Sequence, residues 1–215
     1  MISTKDQEDL FFLIANYLEQ DISCMAIGGT AMMFEGYKNT TKDIDLVFEN
    51  VTDRNKFIDA IKKLGYKERS LAGVYDEKRR KDMSKPVMYS RGEERFDLFV
   101  KNVFGFKIRI SQEAVSQRRD FIGKKELIIY MPQKELIILL KAITGREKDF
   151  EDIETIIKMK QDVDWDKITN EAVKQRKSNE WILIDLEETM QKLKKITLIK
   201  EKYFENLYGA ENKAR

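Results

Sequence analysis

Apolar residues recur at helical spacing over residues 6–19, where Leu10, Leu13, Ile14, Tyr17 and Leu18 share one face. A short apolar run over 24–27 follows and stops at Gly28-Gly29, the pattern of a buried strand entering a tight turn. Residues 30–34 predict a short helix. Residues 43–48 (DIDLVF) alternate acid and hydrophobe and predict a strand, as does 95–100 (RFDLFV), where one acid sits among hydrophobes. Between them, residues 53–64 carry Phe57, Ile58, Ile61 and Leu64 on one stripe, with Gly65 as the helix stop. Residues 76–85 have no apolar period and predict an exposed loop. A strand over 124–131 ends at Pro132. Beyond it the period is helical over 132–144, 148–159, 165–174 and roughly 180–208. Strands thus fall early and helices late. The expected fold is α/β (α+β), a mixed sheet with flanking helices over residues 1–131 followed by a helical C-terminal region over 132–215.

Composition narrows the chemistry. The 215 residues include 40 Lys+Arg and 38 Asp+Glu, a net charge of +2, so attraction to nucleic acid or anionic lipid requires a local patch. There is no histidine, which excludes Ser-His-Asp hydrolysis, His-ligated zinc and His phosphotransfer. The single cysteine, Cys24, excludes disulfides and cysteine metal clusters and suits a reducing compartment. Apolar stretches such as 136–140 fall far short of the ~18 residues of a membrane span. The charged N-terminus (Lys5, Asp6, Glu8, Asp9) does not read as a secretory leader. The expectation is a cytoplasmic chain with no membrane partner.

Three features of the first unit bear on function. Gly28-Gly29-Thr30 lies between a predicted strand and helix, where glycine permits close backbone approach and free N–H groups suit an anion; a plain tight turn capped by Thr30 also accounts for it. In Asp43-Ile44-Asp45, alternate strand positions project both carboxylates to one face. That repulsion calls for a counter-charge, such as Mg²⁺, unless both acids are simply solvated. Asp97 is the third acid, costly to leave unpaired on so hydrophobic a strand; an ion pair with a nearby Lys or Arg is the alternative. Together, a glycine turn, a carboxylate pair and a third carboxylate are the parts of a two-metal phosphoryl-transfer site.

The segment AIGGTAMMFEGYKNTTKDIDLVF resembles the signature of the DNA polymerase β-type nucleotidyltransferase superfamily. A second block, LIILLKAITGREKDFEDIETII, is similar to a motif of its abortive-infection and type IV toxin–antitoxin branch, through Lys141, Arg146, Asp149 and Asp152. The resemblance covers about residues 20–160. It implies transfer of an NMP from an NTP to an acceptor hydroxyl. Asp43, Asp45 and Asp97 would be catalytic and bind Mg²⁺ (two ions), with Asp97 nearest the attacking hydroxyl. Gly28, Gly29 and Thr30 would hold the triphosphate, with Lys42, Lys141 and Asp149 also binding the nucleotide. The acceptor is left open among a tRNA or other RNA, a protein side chain and a small molecule of the aminoglycoside kind, and a cognate antitoxin is an implied partner. A catalytically silent nucleotide-binding module of the same fold is the alternative. On their own terms, Lys141 also reads as a surface lysine on an amphipathic helix, and Asp149 as a helix-start acid.

Two basic clusters, Lys78-Arg79-Arg80-Lys81 and Arg118-Arg119, either steer an RNA or nucleotide or are solvated surface. In the tail, Leu183, Ile184, Leu186, Met190 and Leu193 must pack on the body of the protein or on a second copy, so the C-terminal helices are a candidate homo-oligomer contact.

Overall fold

The computed structural model describes residues 1–69, 85–179 and 181–212. The chain divides into two compact units, Met1–Gln133 and Lys134–Arg215. The Lys78–Lys81 cluster lies outside the described residues.

The first unit is a mixed sheet with flanking helices. Its elements are β1 (Ile2–Ser3), α1 (Thr4–Tyr17), β2 (Ile22–Ile27), α2 (Gly28–Phe34), β3 (Thr40–Thr41), β4 (Asp43–Phe48), α3 (Val51–Lys63), β5 (Lys67–Arg69), β6 (Val87–Arg91), β7 (Glu94–Val100), β8 (Asn102–Val103), β9 (Phe106–Lys107), β10 (Val115–Ile122) and β11 (Glu126–Pro132). The strands run in the order β10-β11-β2-β4-β7-β6-β5, with the β8–β9 hairpin appended to β7 and a separate β1–β3 ladder. β4 lies between β2, antiparallel to it, and β7, parallel to it.

Local chemistry sets the element ends. A capping box starts α1: Asp6 N–H donates to Ser3 Oγ (3.2 Å), and Ser3 N–H donates back to Asp6 Oδ2 (3.0 Å). Asn50 caps α3 by accepting from Asp53 N–H at 2.8 Å. The pleat then decides which residues become core. Phe48 and Phe96 turn to the face covered by α3, where their rings lie 5.4 and 5.5 Å from that of Phe57, and all three are fully buried. The odd-numbered neighbours Asp43, Asp45, Arg95 and Asp97 therefore project from the opposite face.

The second unit is helical among its described residues: α4 (Lys134–Ala142), α5 (Glu147–Met159), α6 (Trp165–Gln175), α7 (Ile182–Leu193) and α8 (Glu201–Asn212). The expected long tail helix is two helices, broken after Leu193 by a segment rich in β-branched residues (Ile196, Thr197, Ile199). Leu183, Leu186, Met190 and Leu193 are buried within the unit. Asp166 of α6 pins α8 by accepting from Lys202 Nζ (2.9 Å) and Tyr203 Oη (3.2 Å). Leu198 (83% exposed) and Ile196, between the last two helices, stay on the surface. No helix among the described residues is long and apolar enough to cross a membrane.

Candidate active site

The glycine turn and the acid strand are locked together. Thr30, fully buried at the start of α2, donates its hydroxyl to the Asp43 carbonyl (3.4 Å) and accepts from the Asp45 N–H (3.2 Å). Its hydroxyl serves the β2–β4 junction, so the side chain positions Asp43 and Asp45. Gly28 sits at φ +58°, in the left-handed region, and a Cβ there would come 2.5 Å from Asp45 Oδ2. The Asp45 carboxylate is nested against backbone that only glycine leaves bare. At Gly29 a Cβ would collide with Thr41 Oγ1, so Thr41 closes the other side of the turn. Lys42 is exposed at the bend before β4.

The parallel register brings in the third acid. Asp45 is the Cα partner of Asp97, and Asp43 is the partner of Arg95. Arg95 Nη2 lies 2.5 Å from Asp43 Oδ2 and, as a hydrogen-bond donor, 3.3 Å from Asp97 Oδ2; its Nε is 3.0 Å from Asp97 Oδ1. That last contact is poorly aligned, leaving Nε and Oδ1 both buried with no hydrogen-bond partner among the described residues. Burial pushes the Asp97 carboxyl up to about 6; Arg95 pulls it down, and the neighbouring Asp43 charge pushes it up again. The counter-charge demanded by the acids is therefore an arginine two residues before Asp97 on the same strand face. An ion pair between Asp97 and a nearby Lys or Arg is the alternative the sequence offers, and Arg95 is that residue; the i, i+2 spacing of RFD carries the signal, while its reach to Asp43 was not anticipated.

Among the described residues no group of three or more Asp, Glu or Cys stands arranged to hold a metal ion. With the guanidinium drawn onto Asp43 and Asp97, the acids meet an arginine first. The donor set itself fits a hard divalent cation. It is all oxygen, it includes the orphaned, buried Asp97 Oδ1, and it fronts a cradle at Gly28 that any Cβ would fill.

Lys141 and Asp149 lie in the second unit, where they bind each other. Lys141 Nζ, 6% exposed, donates to Asp149 Oδ1 (2.9 Å) and Asp152 Oδ2 (2.7 Å). Thr144 Oγ1 and Arg146 Nε each donate to Asp149 Oδ2 at 2.5 Å. Burial would raise the Asp149 carboxyl, but Lys141, Arg146 and Thr144 outweigh it and hold the group below its ordinary value. Lys141 is thus neither a surface lysine nor an unengaged cation. A polar cleft of about 360 Å³ beside this network is lined by residues including Lys141, Arg146, Glu147, Thr189 and Lys192. The Arg118–Arg119 cluster is neutralised on the surface, by Asp120 and Glu126 for Arg118 and by Glu8 for Arg119.

No protein-family model matches the chain, and no curated protein matches it.

Proposed function

We propose that the chain is a Mg²⁺-dependent nucleotidyltransferase that moves an NMP from an NTP to an acceptor hydroxyl on RNA or protein, in the manner of the toxin-like enzymes it resembles. The observation that carries this reading is the registered pair Asp45–Asp97 facing a glycine turn whose backbone is bared toward Asp45. A carboxylate set of this kind has little use in a hydrophobic sheet unless it serves chemistry, since its burial opposes folding.

Asp43 and Asp45 would hold the cation, with Asp97 completing the set. Bound there, the metal supplies charge neutralisation for the leaving pyrophosphate and a lowered pKa for the attacking hydroxyl. The chain's own residues do the positioning. Thr30 fixes the backbone of both acids, Gly28 makes room for the Asp45 carboxylate and Gly29 for Thr41, the N–H groups of the turn would meet the triphosphate as the resemblance implies, and Lys42 adds an exposed positive charge at the mouth of β4. Asp97, the acid that the resemblance puts nearest the attacking hydroxyl, would be the group placed to take its proton. Lys141 and Asp149 enter as nucleotide ligands on the resemblance alone. A cognate antitoxin is the partner that the same resemblance implies.

Arg95 bridging Asp43 and Asp97 favours one second reading, a catalytically silent nucleotide-binding module of this fold. Incubation with each labelled NTP, Mg²⁺ and total RNA or cell lysate separates the two. The enzyme reading expects label in RNA or protein, lost in Asp43→Ala. Nucleotide binding with no label transferred favours the silent module. Label on an added aminoglycoside alone would assign a small-molecule acceptor.

A further inference from the structure

Resting on that reading, we propose that Arg95 is the resident counter-ion of the acidic site and becomes a nucleotide-phosphate ligand once a divalent cation displaces it. Three observations converge. First, one guanidinium reaches Asp43 across the β4–β7 ladder, at 2.5 Å, and Asp97 two residues along its own strand, at 3.0 Å. The Asp43 and Asp97 oxygens that face the guanidinium belong to the carboxylates expected to bind metal. A guanidinium and a divalent cation cannot share them, because like charges at that separation repel strongly in a half-buried setting. Second, the grip is incomplete. Arg95 Nε and Asp97 Oδ1 are buried and close, yet neither has a hydrogen-bond partner among the described residues. A pair selected only to stabilise the fold would align these atoms, since each unsatisfied buried polar group is costly. Third, the side chain has somewhere to go: it is 28% exposed, whereas the Asp97 side chain is 8% exposed. Once off the acids it remains rooted at β7 beside them, presenting a planar fork of donors suited to phosphate oxygens.

Arg95 thus couples the two ligands. Without metal it neutralises the acids and competes with the cation. With metal it is available to the triphosphate. The test is isothermal titration of the full chain with Mn²⁺ alone, and with a non-hydrolysable NTP analogue in the presence of saturating Ca²⁺. For Arg95→Gln the predicted changes have opposite signs: Mn²⁺ binds about tenfold tighter and the analogue about tenfold weaker, each the factor carried by one charge-assisted hydrogen bond. General damage to the site would weaken both. Arg95→Lys keeps the charge without the fork, so Mn²⁺ affinity stays near wild type while the analogue binds several-fold weaker; this variant carries the test if Arg95→Gln fails to fold. If wild type binds Mn²⁺ and Arg95→Gln binds it equally or more weakly, the coupling is wrong and the nucleotidyltransferase reading survives. Analogue affinity unchanged in both variants also overturns it. If neither wild type nor Arg95→Gln binds Mn²⁺, both fall.

Discussion

Asp43 and Arg95 are direct partners in the parallel register of β4 and β7, and their side chains meet at 2.5 Å, 31% and 28% exposed. The relationship explains how a fold tolerates three acids on one sheet face. Asp43 and Asp97 share one arginine, and Asp45 is buttressed by the glycine turn. It also sets what happens when each group is changed.

Asp97 is held against its own preference. Its folded pKa of about 6 lies above the unfolded value near 3.8, so the native state binds the proton more tightly. Stability contributed by the protonated form is fully present below pH ~4 and is lost as pH rises toward ~6, leaving a buried charge above that. Asp97→Asn removes that loss. Urea denaturation at pH 7.5 is expected to show the variant more stable than wild type by about 2 kcal/mol, with the gap closing at pH 4. A variant that is less stable at pH 7.5 contradicts the assignment.

In the second unit the sign reverses. Lys141→Met would remove the buried cation that Asp149 and Asp152 share, leaving Asp149 to Thr144 and Arg146 and destabilising the chain by roughly 3 kcal/mol in thermal or chemical melts. The lowered carboxyl of Asp149 contributes stability present above its unfolded pKa and lost as pH falls through its lower, folded value. The destabilisation by Lys141→Met should accordingly shrink in acid, once Asp149 is protonated.

Two glycines at positive φ separate strain from function. Gly28→Ala places a methyl 2.5 Å from Asp45 Oδ2 in a left-handed backbone, whereas Gly36→Ala at φ +79° meets nothing within 4 Å. Both should lose about 1 kcal/mol from the backbone alone. Only Gly28→Ala should also abolish NMP transfer and weaken Mn²⁺ binding, because only it moves a carboxylate.

Gly123 reports on the packing of α1. A Cβ there would stand 2.6 Å from Ala15 C and Asn16 N, backbone against backbone, so neither side can yield by rotating a side chain. Gly123→Ala is expected to destabilise by about 2–3 kcal/mol as α1 shifts from the β10–β11 turn. Gly209→Ala, inside α8 with open space around it, should instead gain about 0.5–1 kcal/mol. Paired melts of the two variants check both signs.

The first unit's acids were legible in the sequence because each sits in a segment whose period is unambiguous: DIDLVF and RFDLFV form β4 and β7 almost to the residue. The glycine turn was equally plain. An Arg or Lys partner for Asp97 was an open alternative, but Arg95 was not singled out, because its second contact, with Asp43, depends on the β4–β7 register that no local pattern encodes. Strand β10 went unseen since VSQRRDFI is polar from Ser116 to Asp120 and shows no apolar alternation, as suits an edge strand. Short β1, β3 and β5 carry too few residues to show any period. Lys141 was legible as a motif position, yet its burial between Asp149 and Asp152 depends on α4 and α5 meeting, which no local pattern encodes.

The most direct test is anomalous diffraction from crystals grown with Mn²⁺ and a non-hydrolysable NTP analogue. The nucleotidyltransferase account predicts a manganese peak about 2.1 Å from carboxylate oxygens of Asp43 and Asp45, with the analogue's phosphates against Gly28 and Gly29. No peak at these acids at saturating Mn²⁺, with the Arg95 guanidinium still seated on Asp43 and Asp97, would contradict it.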